Sequence, residues 1–271
     1  MKSLFTTFIL LAFTQVHAQH KLTKLWETET VLPEAESVVL LKHHMFVSLV
    51  DGQANEKDGK GGVAKVGLDG KIINASWLTG LNGPTGMDIW KNKLYVTNID
   101  EVVVVDTATA KIINRISFPE AKGLNDVAID GQGKVYVSDP KAGIIYRILD
   151  NKPQVYLTGL PGVNGLKAIG DDLYMVTTDQ LFRYNSKRKL IPIAAMPKPG
   201  ADGITTVSNG DFLFTIYSGL IYYLHKNGQM ELLLDTVGTT TGSADIGYDQ
   251  VNHILYVPTL FRKSIVAYSL H

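Results

Sequence analysis

Cysteine is absent from all 271 residues, which excludes disulfides, thiolate metal sites and a cysteine nucleophile. An excess of charge is also missing, since 26 basic side chains balance 26 acidic ones. A chain of zero net charge gives no indication of binding to nucleic acid or to an anionic membrane surface. Helical periodicity is essentially absent beyond the N-terminal segment. We therefore expect a fold held together by a β-sheet core.

Long apolar runs are missing too, except for one at the N-terminus. Lys2 precedes the apolar run from Leu4 to Phe13, and Val16-His17-Ala18 is a small-x-small sequence before Gln19. This pattern predicts a cleaved secretory signal peptide, and the alternative of a membrane anchor is disfavoured because the run is short for a bilayer. We predict a signal peptide over residues 1–18, one domain over residues 19–271, and a secreted or periplasmic protein without a transmembrane segment.

The sequence does contain a repeated unit of strand, Gly-rich turn and strand. In its clearest copy, from Gly123 to Asp139, Val127 and Ile129 alternate with smaller or polar residues, and Val135-Tyr136-Val137 follows an Asp-Gly turn. Six copies are anchored at positions 37, 86, 126, 165, 203 and 245, so the spacings run from 38 to 49 residues. A period of about 40 residues is typical of propeller blades. The sequence thus predicts an all-β, six-bladed β-propeller.

The two ends of the repeat array predict how the ring closes. The last copy reaches His271 with only three strands, whereas residues 24–31 alternate like a strand and precede the first copy. We expect residues 24–31 to supply the missing outer strand of the last blade, which would join the chain ends and cover an exposed edge.

One loop of the first copy is longer than its counterparts. Residues 51–62 form a Gly-rich, charged insertion between the second and third strands. In a propeller this connection lies on the face where the innermost strands begin. The insertion is interpreted either as a lid over the channel mouth or as a solvated hairpin loop.

The residue before each anchor position is the main functional clue. Because the innermost strands run along the channel, these positions should form a ring at its mouth: Glu36, Thr85, Asn125, Asn164, Asp202 and Ala244. Four of the six carry oxygen ligands, a set suited to calcium, with magnesium, manganese or zinc as alternatives. Asn and Asp also cap strand starts through Asx-turns, so strand capping is the competing interpretation.

Other residues narrow the chemistry that the mouth could perform. None of the seven histidines falls at a ring position, and no Gly-x-Ser-x-Gly sequence is present, so a Ser-His-Asp triad has no support. Metal-assisted hydrolysis is the reaction that the ring could support. The loops that open with Asn98, Asp139 and Tyr217 should lie on the same face, which makes these residues candidates for substrate contact.

These residues resemble the ring of the senescence marker protein (regucalcin)/gluconolactonase family of six-bladed propellers. Glu36, Asn125-Asp126, Asn164-Gly165 and Asp202-Gly203 match the family pattern in blades one, three, four and five. The resemblance implies a divalent metal held by Glu36, Asn164 and Asp202, with Asn125 beside the substrate. Asp202 would then also be the catalytic acid or base. Glu34 is a competing choice for the blade-one ligand.

The sequence departs from the family at one substrate contact. Gly123 stands where the family places a substrate-clamping Arg. Two functions for the mouth therefore stay open: a metal-dependent hydrolase of a lactone or related ester, and a non-catalytic propeller that binds a small ligand or peptide. A structural module of a secreted complex is the third alternative.

Overall fold

The computed structural model describes residues 19–53, 55–207 and 209–271. The predicted signal peptide over residues 1–18 lies outside the described residues. Within them, no helix is long and apolar enough to cross a membrane.

In the part of the chain that the structure describes, twenty-four strands form six antiparallel sheets of four strands each. Blade one contains β2 (Ala35–Leu40), β3 (His44–Leu49), β4 (Gly61–Gly67) and β5 (Ile72–Leu81). Blade two contains β6 (Pro84–Trp90), β7 (Lys93–Asn98), β8 (Glu101–Asp106) and β9 (Ile112–Ser117). Blade three contains β10 (Val127–Ile129), β11 (Val135–Asp139), β12 (Ile144–Leu149) and β13 (Lys152–Thr158).

The second half of the ring repeats this arrangement. Blade four contains β14 (Leu166–Ile169), β15 (Asp172–Val176), β16 (Gln180–Tyr184) and β17 (Leu190–Ala195). Blade five contains β18 (Ala201–Thr206), β19 (Phe212–Ile216), β20 (Leu220–Leu224) and β21 (Met230–Asp235). Blade six contains β22 (Gly247–Asp249), β23 (Ile254–Pro258), β24 (Ile265–Leu270) and β1 (Leu22–Glu27). The predicted all-β, six-bladed propeller is confirmed.

The core lies between neighbouring blades. One apolar cluster joins Val47 and Ala64 of blade one to Tyr256 and Ala267 of blade six, and another joins Phe46 of blade one to blade two. The β-branched and aromatic residues of the middle strands thus point from both faces of each sheet into the apolar clusters between blades. Burying both faces explains why these strands read as nearly continuous apolar runs.

The N-terminal strand closes the ring as predicted, with different bounds. β1 is the outermost strand of blade six and pairs antiparallel with β24, Leu22 opposite Leu270 and Glu27 opposite Val266. It therefore begins and ends earlier than the predicted span of 24–31. Beyond Glu27 the chain stays attached through a few hydrogen bonds. The Thr28 N–H donates to the Ile265 carbonyl (3.0 Å), Thr28 Oγ1 accepts the Ile265 N–H (3.0 Å), and the Leu32 N–H donates to the Lys263 carbonyl.

Candidate functional site at the channel mouth

Bulges in the innermost strands position the ring residues. The pairing register shifts between Ala35 and Val38 in β2, and between Ala201 and Ile204 in β18. Such bulges re-aim side chains and leave backbone groups unpaired. Glu36 and Asp202 each lie inside one of these bulges, so the local backbone turns them out of the ordinary alternation of the sheet.

Hydroxyl groups of the second strands accept hydrogen bonds from backbone N–H groups near the starts of the innermost strands. Ser48 Oγ accepts the Ser37 N–H, Ser138 Oγ accepts the Asp126 N–H, and Thr215 Oγ1 accepts the Gly203 N–H, each at 2.9 Å. All three hydroxyls are buried. The same role in three blades shows that the ring backbone is held by a repeated device, which sequence reasoning missed. Its signal was a Ser or Thr at the same place in these repeats.

The innermost strands touch one another around the channel. The Asp245 N–H donates to the Glu36 carbonyl (2.9 Å), and the Gly86 N–H donates to the Asn125 carbonyl (2.7 Å). A Cβ added to Gly165 would lie 2.0 Å from the Asp202 carbonyl oxygen. Glycine is therefore required at this position by the close approach of the neighbouring strand.

The three predicted metal ligands share an unusual property. Glu36 Oε2, Asn164 Oδ1 and Asp202 Oδ1 are buried oxygens without a hydrogen-bond partner. Glu36 and Asp202 are each only 6% exposed. Buried polar atoms are nearly always paired, so three unpaired oxygens at matching blade positions need an explanation. Oxygens of this kind fit a hard divalent cation, and strand capping would have left them occupied.

The electrostatics of the ring agree with this geometry. Burial raises the pKa of Glu36 well above its usual range, and the charges of Asp202 and Asp245 raise it further. Burial and the nearby Asp245 raise the pKa of Asp202 to about 8, while a hydrogen bond from Asn164 opposes the shift. Carboxylates in such a group resist ionisation unless a cation neutralises them.

A second layer of charge lies one to three positions further along the innermost strands. Asp88, Asp126, Lys167 and Asp245 help to line a cavity of about 220 Å³. Burial raises the pKa of Asp245 to about 6 and, together with the charge of Asp245, raises that of Asp126. The sequence analysis did not single out this layer, although Asp126 and Asp245 are themselves anchor positions of the repeat.

The remaining predicted residues occupy different settings. Asn125 is half-buried, and its side chain makes no hydrogen bond with the residues that the structure describes. Tyr217 is 53% exposed. Glu34 has a left-handed backbone (φ 43°) and is half-buried, and it has no unpaired buried oxygen of the kind found on Glu36.

Asn98 and Asp139 are fully buried, and their side chains hold loop backbone. Asn98 Oδ1 accepts the N–H groups of Asn82 (2.8 Å) and Gly83 (3.1 Å), and Asp139 accepts those of Lys122 (2.6 Å) and Ala142 (3.0 Å). In this structure they support the loops of the mouth from below. Their direct contact with substrate stays a prediction.

The long loop of blade one leans over its neighbours. Lys57 Nζ lies 2.6 Å from Asp100 Oδ2 of blade two, and Lys141 Nζ of blade three donates to Asn55 Oδ1 at 2.6 Å. Lys141 also lies against Gly123, since a Cβ there would be 3.5 Å from its Nζ. Residue 54 of this loop lies outside the described residues. These contacts place the loop across the loops of blades two and three.

Comparison with known proteins supports the propeller fold and does not identify the activity of this chain. Neither a protein-family model nor a curated protein matches the sequence. Virginiamycin B lyase from Staphylococcus aureus, in a catalytically inactive variant with quinupristin, is similar over 93% of this chain and 99% of that one, at 14% identity and a TM-score of 0.65.

Two further solved structures are similar. An auxiliary nutrient binding protein from Bacteroides ovatus matches over 94% of this chain and 78% of its own, at 12% identity and a TM-score of 0.68. A presumed gluconolactonase matches over 94% of this chain and 93% of its own, at 15% identity and a TM-score of 0.66. Propellers of this architecture therefore include a lyase and nutrient-binding proteins.

Proposed function

We propose that this protein is a secreted or periplasmic, metal-dependent hydrolase of a lactone or related ester, with its site at the channel mouth. The observation that carries the proposal is the set of three unpaired buried oxygens on Glu36, Asn164 and Asp202. The three residues lie at matching positions of blades one, four and five. Such a set would hold a divalent cation, calcium foremost.

Metal-assisted hydrolysis at the mouth would need a cation, a proton carrier and a residue that orients the substrate. A bound divalent cation would polarise the carbonyl of the substrate and favour an attacking hydroxide. Asp202 would act as the general base: burial and Asp245 raise its pKa to about 8 without a cation, and the charge of a bound cation would lower this pKa and favour the carboxylate. Asn125 has a free side-chain amide at the same mouth and would orient the substrate.

The first experiment tests for the cation. We expect calcium to raise the melting temperature of chelator-treated protein, because a ligand that binds only the native state adds about 2.7 kcal/mol at a concentration of 100 Kd. Magnesium, manganese and zinc are tested in parallel by thermal shift. If none of the four cations shifts the transition, Glu36, Asn164 and Asp202 do not form a metal site.

The second experiment tests for turnover on a panel of lactones and esters with each metal. Asp202→Ala should abolish hydrolysis and weaken metal binding together, whereas Asn125→Ala should impair hydrolysis and leave metal affinity nearly intact. Asp171→Ala is the matched control, because Asp171 lies in an exposed turn between β14 and β15 at the other end of these strands. Full hydrolysis by Asp202→Ala would remove that residue from the catalytic role.

The second candidate is a non-catalytic propeller that binds a small ligand in the same mouth. Gly123 favours it, since this position offers no side chain to clamp a substrate, and the Lys141 side chain that lies against it donates to Asn55. Calcium binding without hydrolysis of any member of the panel would favour this binding function over the hydrolase.

A further inference from the structure

A second group of ligand-type side chains lies away from the mouth, at the seam between blades five and six. His20 immediately precedes the β1 segment of blade six, His225 follows β20, and Glu231 belongs to β21. Both imidazoles reach the same carboxylate oxygen: Glu231 Oε1 lies 3.0 Å from His20 Nδ1 and 2.5 Å from His225 Nε2. The three ligand atoms all lie within 4.8 Å of one another.

The surrounding residues hold this group in place. The His20 N–H donates to Glu231 Oε2 (2.7 Å), and the His20 ring stacks on Tyr223 at a centroid distance of 3.8 Å. The other nitrogen of His225 lies 3.7 Å from Asp211 Oδ2, which accepts the Tyr223 hydroxyl at 2.7 Å. At 3.7 Å this contact is too long for a hydrogen bond, so Asp211 acts as a nearby charge at the position where a metal-binding histidine usually has a carboxylate partner.

We propose that His20, His225 and Glu231 form a binding site for a transition-metal dication, with zinc as the best fit. Two imidazole nitrogens and one carboxylate oxygen are a common zinc donor set. Metal–ligand bonds of about 2.0–2.2 Å separate tetrahedral donor atoms by about 3.4 Å. Glu231 Oε1 would therefore move away from His20 Nδ1 and from His225 Nε2 by less than about 1 Å, and a pair of donor atoms at the outer limit of 4.8 Å would approach by about 1.4 Å. The side chains are 27%, 20% and 16% exposed for His20, His225 and Glu231, which leaves access for a water ligand.

This site differs in chemistry from the oxygen-only ring at the mouth. Nitrogen donors select zinc and similar ions over calcium and magnesium. The two sites are therefore separable by the choice of metal, and this proposal does not depend on the function proposed for the mouth.

The location gives the site a structural consequence. His20 belongs to the segment that closes the ring, whereas His225 and Glu231 belong to the preceding blade. A metal bound by all three would connect the closing strand to blade five as well as to blade six. Binding would then stabilise the closed ring, because the three ligands are brought together only in the folded chain.

The test uses the chain from residue 19 onward, freed of metal and then saturated with calcium to occupy the mouth. Zinc is titrated by calorimetry, and cobalt is added as a spectroscopic probe. We expect one zinc per chain, a rise in melting temperature, and the intense visible absorption of tetrahedral cobalt. His225→Ala and Glu231→Gln should each weaken zinc binding by about 100-fold and abolish the cobalt absorption.

Two controls locate the signal. His253→Ala removes a histidine that lines the adjacent cleft of about 330 Å³, and Asp202→Ala alters the mouth; both should keep the zinc affinity of the parent. Equal zinc affinity in the parent and in Glu231→Gln would overturn the proposal. The proposal would also be overturned if the parent protein showed no tetrahedral cobalt absorption, a result that does not depend on whether the variants fold. His20, His225 and Glu231 would then form a hydrogen-bonded ion pair without a metal.

Discussion

Glu36 is a single residue whose burial opposes the stability of the folded chain. Its carboxylate is buried beside other carboxylates, and Oε2 has no hydrogen-bond partner. Such a group destabilises the folded chain unless a cation or a proton neutralises it. Local violations of this kind are expected at functional sites.

A substitution at Glu36 separates a ligand from a strand cap. We expect Glu36→Gln to melt at the same temperature as the metal-free parent or higher, because the amide stays neutral when buried. The calcium-induced rise in melting temperature should be lost or strongly reduced. A structural cap would behave in the opposite way: Glu36→Gln would melt at a lower temperature while the calcium response persisted.

Gly165 is the ring position at which the packing leaves the least room for a side chain. An added Cβ would lie 2.0 Å from the Asp202 carbonyl oxygen, which is backbone and cannot move aside cheaply. We expect Gly165→Ala to lower the free energy of unfolding by about 1–3 kcal/mol, the range for overpacked sites, and to weaken metal binding. Denaturant unfolding measures the first effect and thermal shift with calcium the second.

Gly131→Ala provides the matched control for this substitution. Gly131 lies in a turn at ordinary φ, and an added Cβ would have no neighbour within 4 Å. This variant should be as stable as the parent or slightly more stable, because alanine reduces the conformational entropy of the unfolded chain. Equal destabilisation by both substitutions would contradict the packing argument.

The positions of the candidate site residues could be predicted from the sequence only through the register of the repeats. The register brought Glu36, Asn164 and Asp202 to matching positions because equivalent positions of a propeller form rings. It could not foresee that Asn98 and Asp139 are buried beneath the loops. That outcome depends on where the following loop backbone folds back, which strand periodicity does not encode.

At the scale of secondary-structure elements, Glu27 fixes the end of the closing strand. Its carboxylate accepts Arg262 Nε, Ser264 Oγ (2.9 Å) and Lys24 Nζ (2.7 Å). The bond from Arg262 contributes most to lowering the pKa of Glu27 to about 2, against an ordinary value of 4.5. The last paired residue of β1 therefore makes an ion pair, with Arg262, whose strength depends on the charge of Glu27.

The pH dependence of stability follows from this contact. A carboxylate with a lowered pKa in the folded chain stabilises it above the unfolded pKa of 4.5, and this contribution is lost as the pH falls through about 2. We expect Glu27→Gln to melt at a lower temperature than the parent at pH 7, with the difference shrinking between pH 4.5 and pH 2. Melting curves across this range check the expectation; a constant difference would contradict it.

The long loop of blade one contacts the loops of blades two and three and is interpreted as a lid or as a solvated hairpin. Deleting residues 55–60 removes the contacts to Asp100 and Lys141. We expect this deletion to change KM or substrate preference, or ligand affinity if the protein is a binder, by more than it changes metal affinity. Lys57→Ala alone should have a smaller effect, since it removes one exposed ion pair. Unchanged KM and ligand affinity would favour the solvated-hairpin interpretation.

Element boundaries show a second limit of sequence reasoning. The alternating pattern over residues 24–31 predicted a closing strand, and the strand is present as β1, yet it covers Leu22–Glu27. Alternation alone does not show where pairing stops. The stop is set by tertiary contacts of Glu27 and by the few hydrogen bonds of Thr28 and Leu32 that follow.

At the scale of the whole molecule, the fold depends on joining the two ends of the chain. Without cysteine, no disulfide secures this closure. Hydrogen bonds between β1 and β24 do so, together with Trp26, which packs on the cluster between blades six and one and contacts Tyr256 at a ring-centroid distance of 5.8 Å. β1 thus covers the edge of β24 and completes the last blade as a four-stranded sheet like the other five.

Deleting residues 19–31 therefore tests the architecture itself. The deletion exposes the edge of β24, removes the pairing by β1 and takes away Trp26, whose side chain is partly buried. Loss of a fully buried Trp side chain costs about 3–5 kcal/mol, and the lost strand pairing adds to the part of this cost that Trp26 carries. A domain of this size loses about 2–4 °C per kcal/mol, so we expect aggregation or a melting temperature lower by at least about 10 °C. Deletion of residues 55–60 is the control, because it shortens an exposed loop outside the seam and should shift melting by less than about 3 °C. A truncated protein that melts like the parent would show that the ring does not need its N-terminal strand.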